Sequence, residues 1–124
     1  MSALVVLCVA AGAALGAPAR FLVERRLAGA YPWGTFAVNV IGSALLGALV
    51  AATTSESWLA LVGVGFCGAL TTFGGFAAQV LDLASGGPTS AARPAAALTY
   101  AALSVMACAA VAGIAYVTVA SLIG

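Results

Sequence analysis

Histidine and lysine are absent from the 124 residues, and the four basic side chains, all arginine, face only three acidic ones. Without an imidazole or an amine nucleophile, most of the equipment of soluble catalysis is missing. Charge of either sign is scarce, 6% of the chain against roughly 25% in soluble domains. The three cysteines, Cys8, Cys67 and Cys108, stand singly in apolar runs without CxxC or Cys/His spacing. They encode neither a disulfide framework nor a zinc site and read as small apolar residues. No polar stretch is long enough for a nucleic-acid module, and no enzyme is expected.

What remains is hydrophobic: 65% of residues by count, with a mean hydropathy of +1.21. Arg20, Glu24, Arg25, Arg26, Glu56, Asp82 and Arg93 divide the chain into uncharged runs 1–19, 27–55, 57–81 and 94–124. A helix of about 20 apolar residues crosses the hydrocarbon core, so each run is near or above that requirement. The expected fold is an all-α integral membrane protein, one domain of four transmembrane helices at about 3–23, 35–53, 58–81 and 94–122. The first run lacks a basic segment before it and is followed by its arginines, so it reads as a retained helix rather than a cleaved signal. Tyr31-Pro-Trp33 is an interfacial aromatic turn where the chain re-enters the bilayer.

The third run departs from a simple crossing. It holds Gly63, Gly65, Gly68, Gly74 and Gly75 with adjacent threonines, Thr71 and Thr72, at its centre. Glycine costs about 1 kcal/mol per helical position relative to alanine, so a break near 68–76 is expected. Interrupted backbone at membrane depth is tolerated only where its free N–H and C=O groups are buried in protein or line a polar cavity. The break therefore points to a site that handles something small and ionic near the midplane.

Two other helices carry polar rows. Thr35, Asn39 and Ser43 recur every four residues on the second, and Tyr100, Ser104 and Cys108 do so on the fourth. Phe73 and Phe76 lie one turn apart beside the break. Amide and hydroxyl donors without a midplane carboxylate or cation favour an anion or a neutral polar solute. A phenyl ring adds to this, because its edge is the positive end of its quadrupole. Each residue also has a plainer reading: Asn39 as a cross-helix bond, the phenylalanines as packing, Arg20 snorkelling to headgroups rather than anchoring a vestibule. Four helices without an internal repeat suit an antiparallel dimer, in which carbonyls freed at the break would meet at the axis as a cation site.

These residues resemble the Fluc (CrcB) fluoride channels along essentially the whole chain. The likeness is carried by Gly12-Ala-Ala-Leu-Gly-Ala-Pro-Ala-Arg20, by Gly34-Thr-Phe-Ala-Val-Asn39-Val-Ile-Gly42, and by Gly65-Phe-Cys-Gly68-Ala-Leu-Thr71-Thr-Phe73-Gly-Gly-Phe76. The resemblance implies passive electrodiffusion of fluoride out of the cytoplasm, lowering its toxicity, through an antiparallel dimer in the cell membrane. It places Asn39, Phe73 and Phe76 along the ion path and Thr35, Tyr100 and Ser104 beside it, while Arg20, by its own position at the membrane edge, is the candidate vestibule residue. It also implies a structural sodium ion at the dimer centre, held by the main-chain carbonyls of Gly68 and Thr71. The chain departs from the family pattern at Gly74-Gly75, where Ser-Thr is usual, and at Gln79, where a glutamate is usual.

Arg20, Arg25, Arg26 and Arg93 all fall on the side of the first and third connections, which by the positive-inside rule leaves both termini outside. So one-sided a chain is expected to pair with a homologue of opposite bias rather than with itself, alongside its other partners, the fluoride ion and the bilayer. The competing reading, a small multidrug exporter coupled to protons, requires a carboxylate within the first helix. None precedes Glu24. A further alternative is a non-conducting partner subunit.

Overall fold

Five helical segments make up the four crossings. The computed structural model describes residues 2–87 and 91–124, and no strand occurs among them. Helix α1 (Ala3–Arg26) starts at Ser2, whose hydroxyl accepts the Val5 N–H at 3.3 Å. It runs one turn beyond the expected residue 23, with Arg25 and Arg26 in its last turn, where cations offset the helix dipole. That extra turn carries Glu24 to the start of α2 (Trp33–Ala52), so close that a Cβ on Gly34 would lie 2.6 Å from the Glu24 Cα.

The third crossing is built from two helices. Its first half, α3 (residues 56–70), is a turn of α-helix followed by nine π-helical residues, Leu59–Cys67, and a closing α-turn, Gly68–Leu70. Thr71 (φ −78°, ψ 157°) and Thr72 (φ −146°, ψ 120°) are extended and end it. The second half, α4 (Phe73–Ser85), begins immediately after them. The break is thus narrower than the expected 68–76, and Gly74 and Gly75 are helical. The reason is local: the Thr72 hydroxyl accepts the Gly75 N–H at 3.0 Å and starts the new helix, so the glycines fall in its first turn.

α4 ends at Gly86, whose φ of 79° suits a residue without a Cβ. Leu83 to Ser85, beyond the expected end of the third crossing at residue 81, complete this helix; Pro88, in the connection that follows, lies outside the described residues. The Arg93 N–H donates to the Leu83 carbonyl at 2.7 Å, and α5 (Pro94–Ile123) follows with proline in its first turn, where no N–H is needed.

Two pairs of helices dominate the packing: α2 along α5, and α1 along α3, with α4 resting on α5. The second pair meets backbone to backbone. A Cβ on Gly65 would stand 2.6 Å from the Val9 carbonyl oxygen and 3.0 Å from the Gly12 Cα, so the approach is open only to glycine. Val38, Cys67, Leu70 and Tyr100 fill the interior, while Leu7, Leu15, Val64, Leu98, Ile114 and Leu122 face outward. Such a distribution is inside out relative to a soluble bundle and fits a chain whose solvent is lipid. All four crossings are long and apolar enough to span a membrane, and the chain is a multi-pass membrane protein.

Candidate functional site

The site begins with the hydrogen bonds that the break redistributes. In a continuous helix the Thr72 N–H would return to the Gly68 carbonyl and the Gly75 N–H to the Thr71 carbonyl. Neither does. Asn39 on α2 takes the Thr72 N–H on its Oδ1 at 2.8 Å, and its Nδ2 donates to the Thr72 carbonyl at 3.2 Å. One side chain thereby replaces two helical bonds and pins the extended backbone. The Thr71 hydroxyl turns back to the Cys67 carbonyl at 2.9 Å, sealing the end of α3.

The carbonyls of Gly68 and Thr71 have consequently lost their helical donors. Arg20 on α1 reaches the second of them, with Nη1 at 3.5 Å from the Thr71 oxygen, a long bond from a half-buried guanidinium. Gly68 is exposed on the chain's outer face.

Beside the break lies a cleft of about 410 Å³, lined by Asn39, Ser43, Gly68, Thr71, Phe73, Phe76 and Ser104 among others. Ser104 is only 4% exposed, and its hydroxyl, beside the Tyr100 side chain one turn back, closes no hydrogen bond of good geometry. A helical serine ordinarily satisfies itself on the carbonyl four residues back, so an orphan hydroxyl on the wall of a cleft is an offered donor. The Phe73 and Phe76 rings stand 6.2 Å apart; Phe76 packs 5.6 Å from the Tyr100 ring, whereas Phe73 is 82% exposed.

A second cleft of about 310 Å³, toward the arginine-bearing ends, is lined by Glu24, Tyr31, Thr35, Gln79 and Asp82 among others. Between the clefts runs a chain of side-chain hydrogen bonds with a single direction. The Tyr100 hydroxyl donates to Gln79 Oε1 at 3.1 Å, Gln79 Nε2 donates to Thr35 Oγ1 at 2.7 Å, and Thr35 donates to Glu24 Oε1 at 3.1 Å. Thr35 and Tyr100 are each 1% exposed.

The residues singled out from sequence thus fall into three groups. Asn39, Phe73, Phe76 and Ser104 share the larger cleft with Gly68 and Thr71. Thr35 and Tyr100 stand apart from that cleft, joined to each other through Gln79. Arg20 lies at the break itself. Glu24 and the joining role of Gln79 were not anticipated, because the hydrogen-bonded chain draws one residue from each of four helices and no spacing within one helix signals it. The signal that was available is Glu24 itself, the carboxylate left closest to the first crossing.

Fold and site together define a small four-span membrane protein of the broken-helix type, with its polar groups gathered at the interruption. The sequence matches the family described as CrcB-like protein, Camphor Resistance (CrcB), over residues 7–116. The chain belongs to this family. It is similar to proteins named fluoride-specific ion channel FluC 1 from Frankia casuarinae, 45% identical over 94 residues (65% of this chain, 73% of that protein), and from Nocardia farcinica, 44% identical over 80 residues (61% and 56%). A Rhodococcus jostii protein named fluoride-specific ion channel FluC 2 is 48% identical over 80 residues, 63% of this chain and 70% of its own length.

Proposed function

We propose that this chain is a subunit of a membrane channel that passes fluoride by passive electrodiffusion and so relieves the cell of it. The observation that carries the reading is the buried, unpartnered Ser104 hydroxyl on the wall of the cleft where Asn39 holds the third crossing open beside Phe76. A dehydrated anion needs donors that neither trap it by full charge nor compete with it for protons. The hydroxyls of Ser104, Ser43 and Thr72, a residual amide N–H of Asn39 and ring edges are donors of that kind. Membership of a family whose named relatives are fluoride-specific channels supports the same ion.

The working unit in this reading is an antiparallel pair of subunits. The exposed Phe73 ring and the exposed backbone at Gly68 are then interface groups, and the cleft is closed by the second copy. Sodium fits the same interface: the Gly68 and Thr71 carbonyls are hard oxygen ligands released from their helical donors, although Thr71 also receives Arg20. Two oxygens per chain are too few for such an ion, and a second copy doubles them. The one-sided arginines favour a homologue as that copy, with both termini outside.

Purified protein in liposomes loaded with fluoride tests the function. Efflux that starts on adding a potassium ionophore, with no proton gradient and with chloride retained, is the expected result. Its absence, alone and with a co-encoded homologue, refutes the channel reading, and proton-coupled efflux of a cationic drug replaces it with the exporter. Thermal unfolding at a higher temperature in sodium than in N-methylglucamine buffer is expected from the sodium site. Accessibility of tagged termini in intact cells gives the orientation, and an even mixture for this chain alone refutes the heteromeric pairing.

A further inference from the structure

We propose that Glu24 is a positioning residue for the ion path: it holds the hydroxyl protons of Thr35 and, through Gln79, of Tyr100 turned away from an anion that passes between the two clefts. The inference rests on the channel reading and concerns what sets the affinity within it.

The direction of the hydrogen-bonded chain is dictated from one end. A carboxylate can only accept, so the Thr35 hydroxyl must donate to Glu24 Oε1. Its Oγ1 lone pair is then met by the Gln79 amide as donor, at 2.7 Å. This leaves Gln79 Oε1 facing Tyr100, whose hydroxyl must donate to it. Every mobile proton in the chain points toward Glu24.

Geometry makes this consequential. Glu24, Thr35 and Gln79 line the smaller cleft, while Phe76 and Ser104 line the larger. Tyr100 lies between them, its ring tilted against Phe76 and one helical turn before Ser104. An anion moving from one cleft to the other therefore meets Tyr100 and Thr35 with their protons already engaged. It must draw them from a charged acceptor, which costs more than drawing them from a neutral one. Asp82 and Tyr31 face Glu24 across the same cleft, so repulsion between the carboxylates and the anion is the competing account of any effect of Glu24.

Variants separate the two accounts. Glu24→Gln offers an amide that can donate as well as accept, so the chain can reverse and release a proton to the anion. The fluoride concentration giving half-maximal efflux from liposomes is expected to fall about tenfold, or about 1.4 kcal/mol. Glu24→Asp keeps the charge but withdraws the oxygen by one methylene, and the same direction of change is expected. Repulsion alone predicts no gain for it. In Thr35→Val, which removes the hydroxyl, Glu24→Gln should bring no gain, while in Thr35→Ser the gain should return. The proposal is overturned if both Glu24 variants stay within twofold of the parent, or if the Glu24→Gln gain survives in Thr35→Val. Wild-type protein without flux, alone and with a co-encoded homologue, defeats the channel reading itself, whereas flux indifferent to Glu24 defeats only this inference.

Discussion

Asn39→Asp changes one atom of the site and asks most of it. In the parent, Asn39 satisfies both polar groups of Thr72, the N–H at 2.8 Å and the carbonyl at 3.2 Å. The carboxylate keeps the first bond and loses the second, setting an oxygen against the Thr72 oxygen. Losing that bond and leaving a buried carbonyl unsatisfied costs about 1–3 kcal/mol. The larger effect falls on the ion. A fixed negative charge roughly 5 Å from fluoride, at an effective dielectric constant of about 20, raises its energy by about 3 kcal/mol. Since about 1.4 kcal/mol is a factor of ten, occupancy of the cleft falls by roughly two orders of magnitude. Fluoride efflux from liposomes, measured with an ion-selective electrode on protein that elutes as the parent does, is expected to drop about 100-fold. Flux within twofold of the parent would remove Asn39 from the vicinity of the ion and leave it as a backbone clamp alone.

Phe76→Ile keeps the volume apolar but removes the ring edge and the contact with Tyr100 at 5.6 Å; efflux is expected to fall at least tenfold with little change in thermal stability. Gly65→Leu drives a side chain into the Val9 carbonyl, 2.6 Å from the position of its Cβ. Overpacking of this kind costs about 1–3 kcal/mol or more, and the variant should aggregate on size-exclusion chromatography in detergent. Thr72→Ala removes the cap on the Gly75 N–H at a cost of about 1 kcal/mol, which lowers the unfolding midpoint and is read by differential scanning fluorimetry.

The number and type of crossings were legible because charge and hydrophobic run length decide them. Seven charged residues leave four runs with no soluble alternative. The existence of a break was legible too, from glycine and threonine in an apolar run, but its place was not. Glycine marks where a helix is weak; what ends α3 is a specific competitor, Asn39, which lies 33 residues away along the chain. The nine π-helical residues, Leu59–Cys67, were likewise hidden, since they depend on how α3 seats its glycines on α1. For the site, every-fourth-residue spacing identified Thr35, Asn39, Tyr100 and Ser104 as inward, yet it joined them as rows along helices. The hydrogen bonds run across helices instead, and they separate Asn39 and Ser104 from Thr35 and Tyr100.

That separation bears on which donors one chain offers an ion. The Thr71 hydroxyl donates to Cys67, and Thr35 and Tyr100 are committed to the chain ending at Glu24, whereas the Thr72 hydroxyl accepts the Gly75 N–H and keeps its own proton. The family pattern would place two further hydroxyls at 74 and 75, and here both positions are glycine. Among the described residues, the larger cleft therefore keeps the hydroxyl protons of Ser43, Thr72 and Ser104, with one remaining amide proton on Asn39. In the proposed pairing a second subunit adds its own donors to these, and the exposed Phe73 ring and open Gly68 backbone are where it would meet this chain. Restoring Ser-Thr at 74–75 supplies hydroxyls next to the cleft. In liposomes holding this chain alone it should raise fluoride efflux severalfold. If efflux is unchanged, donor supply is not what limits conduction by the unpaired chain.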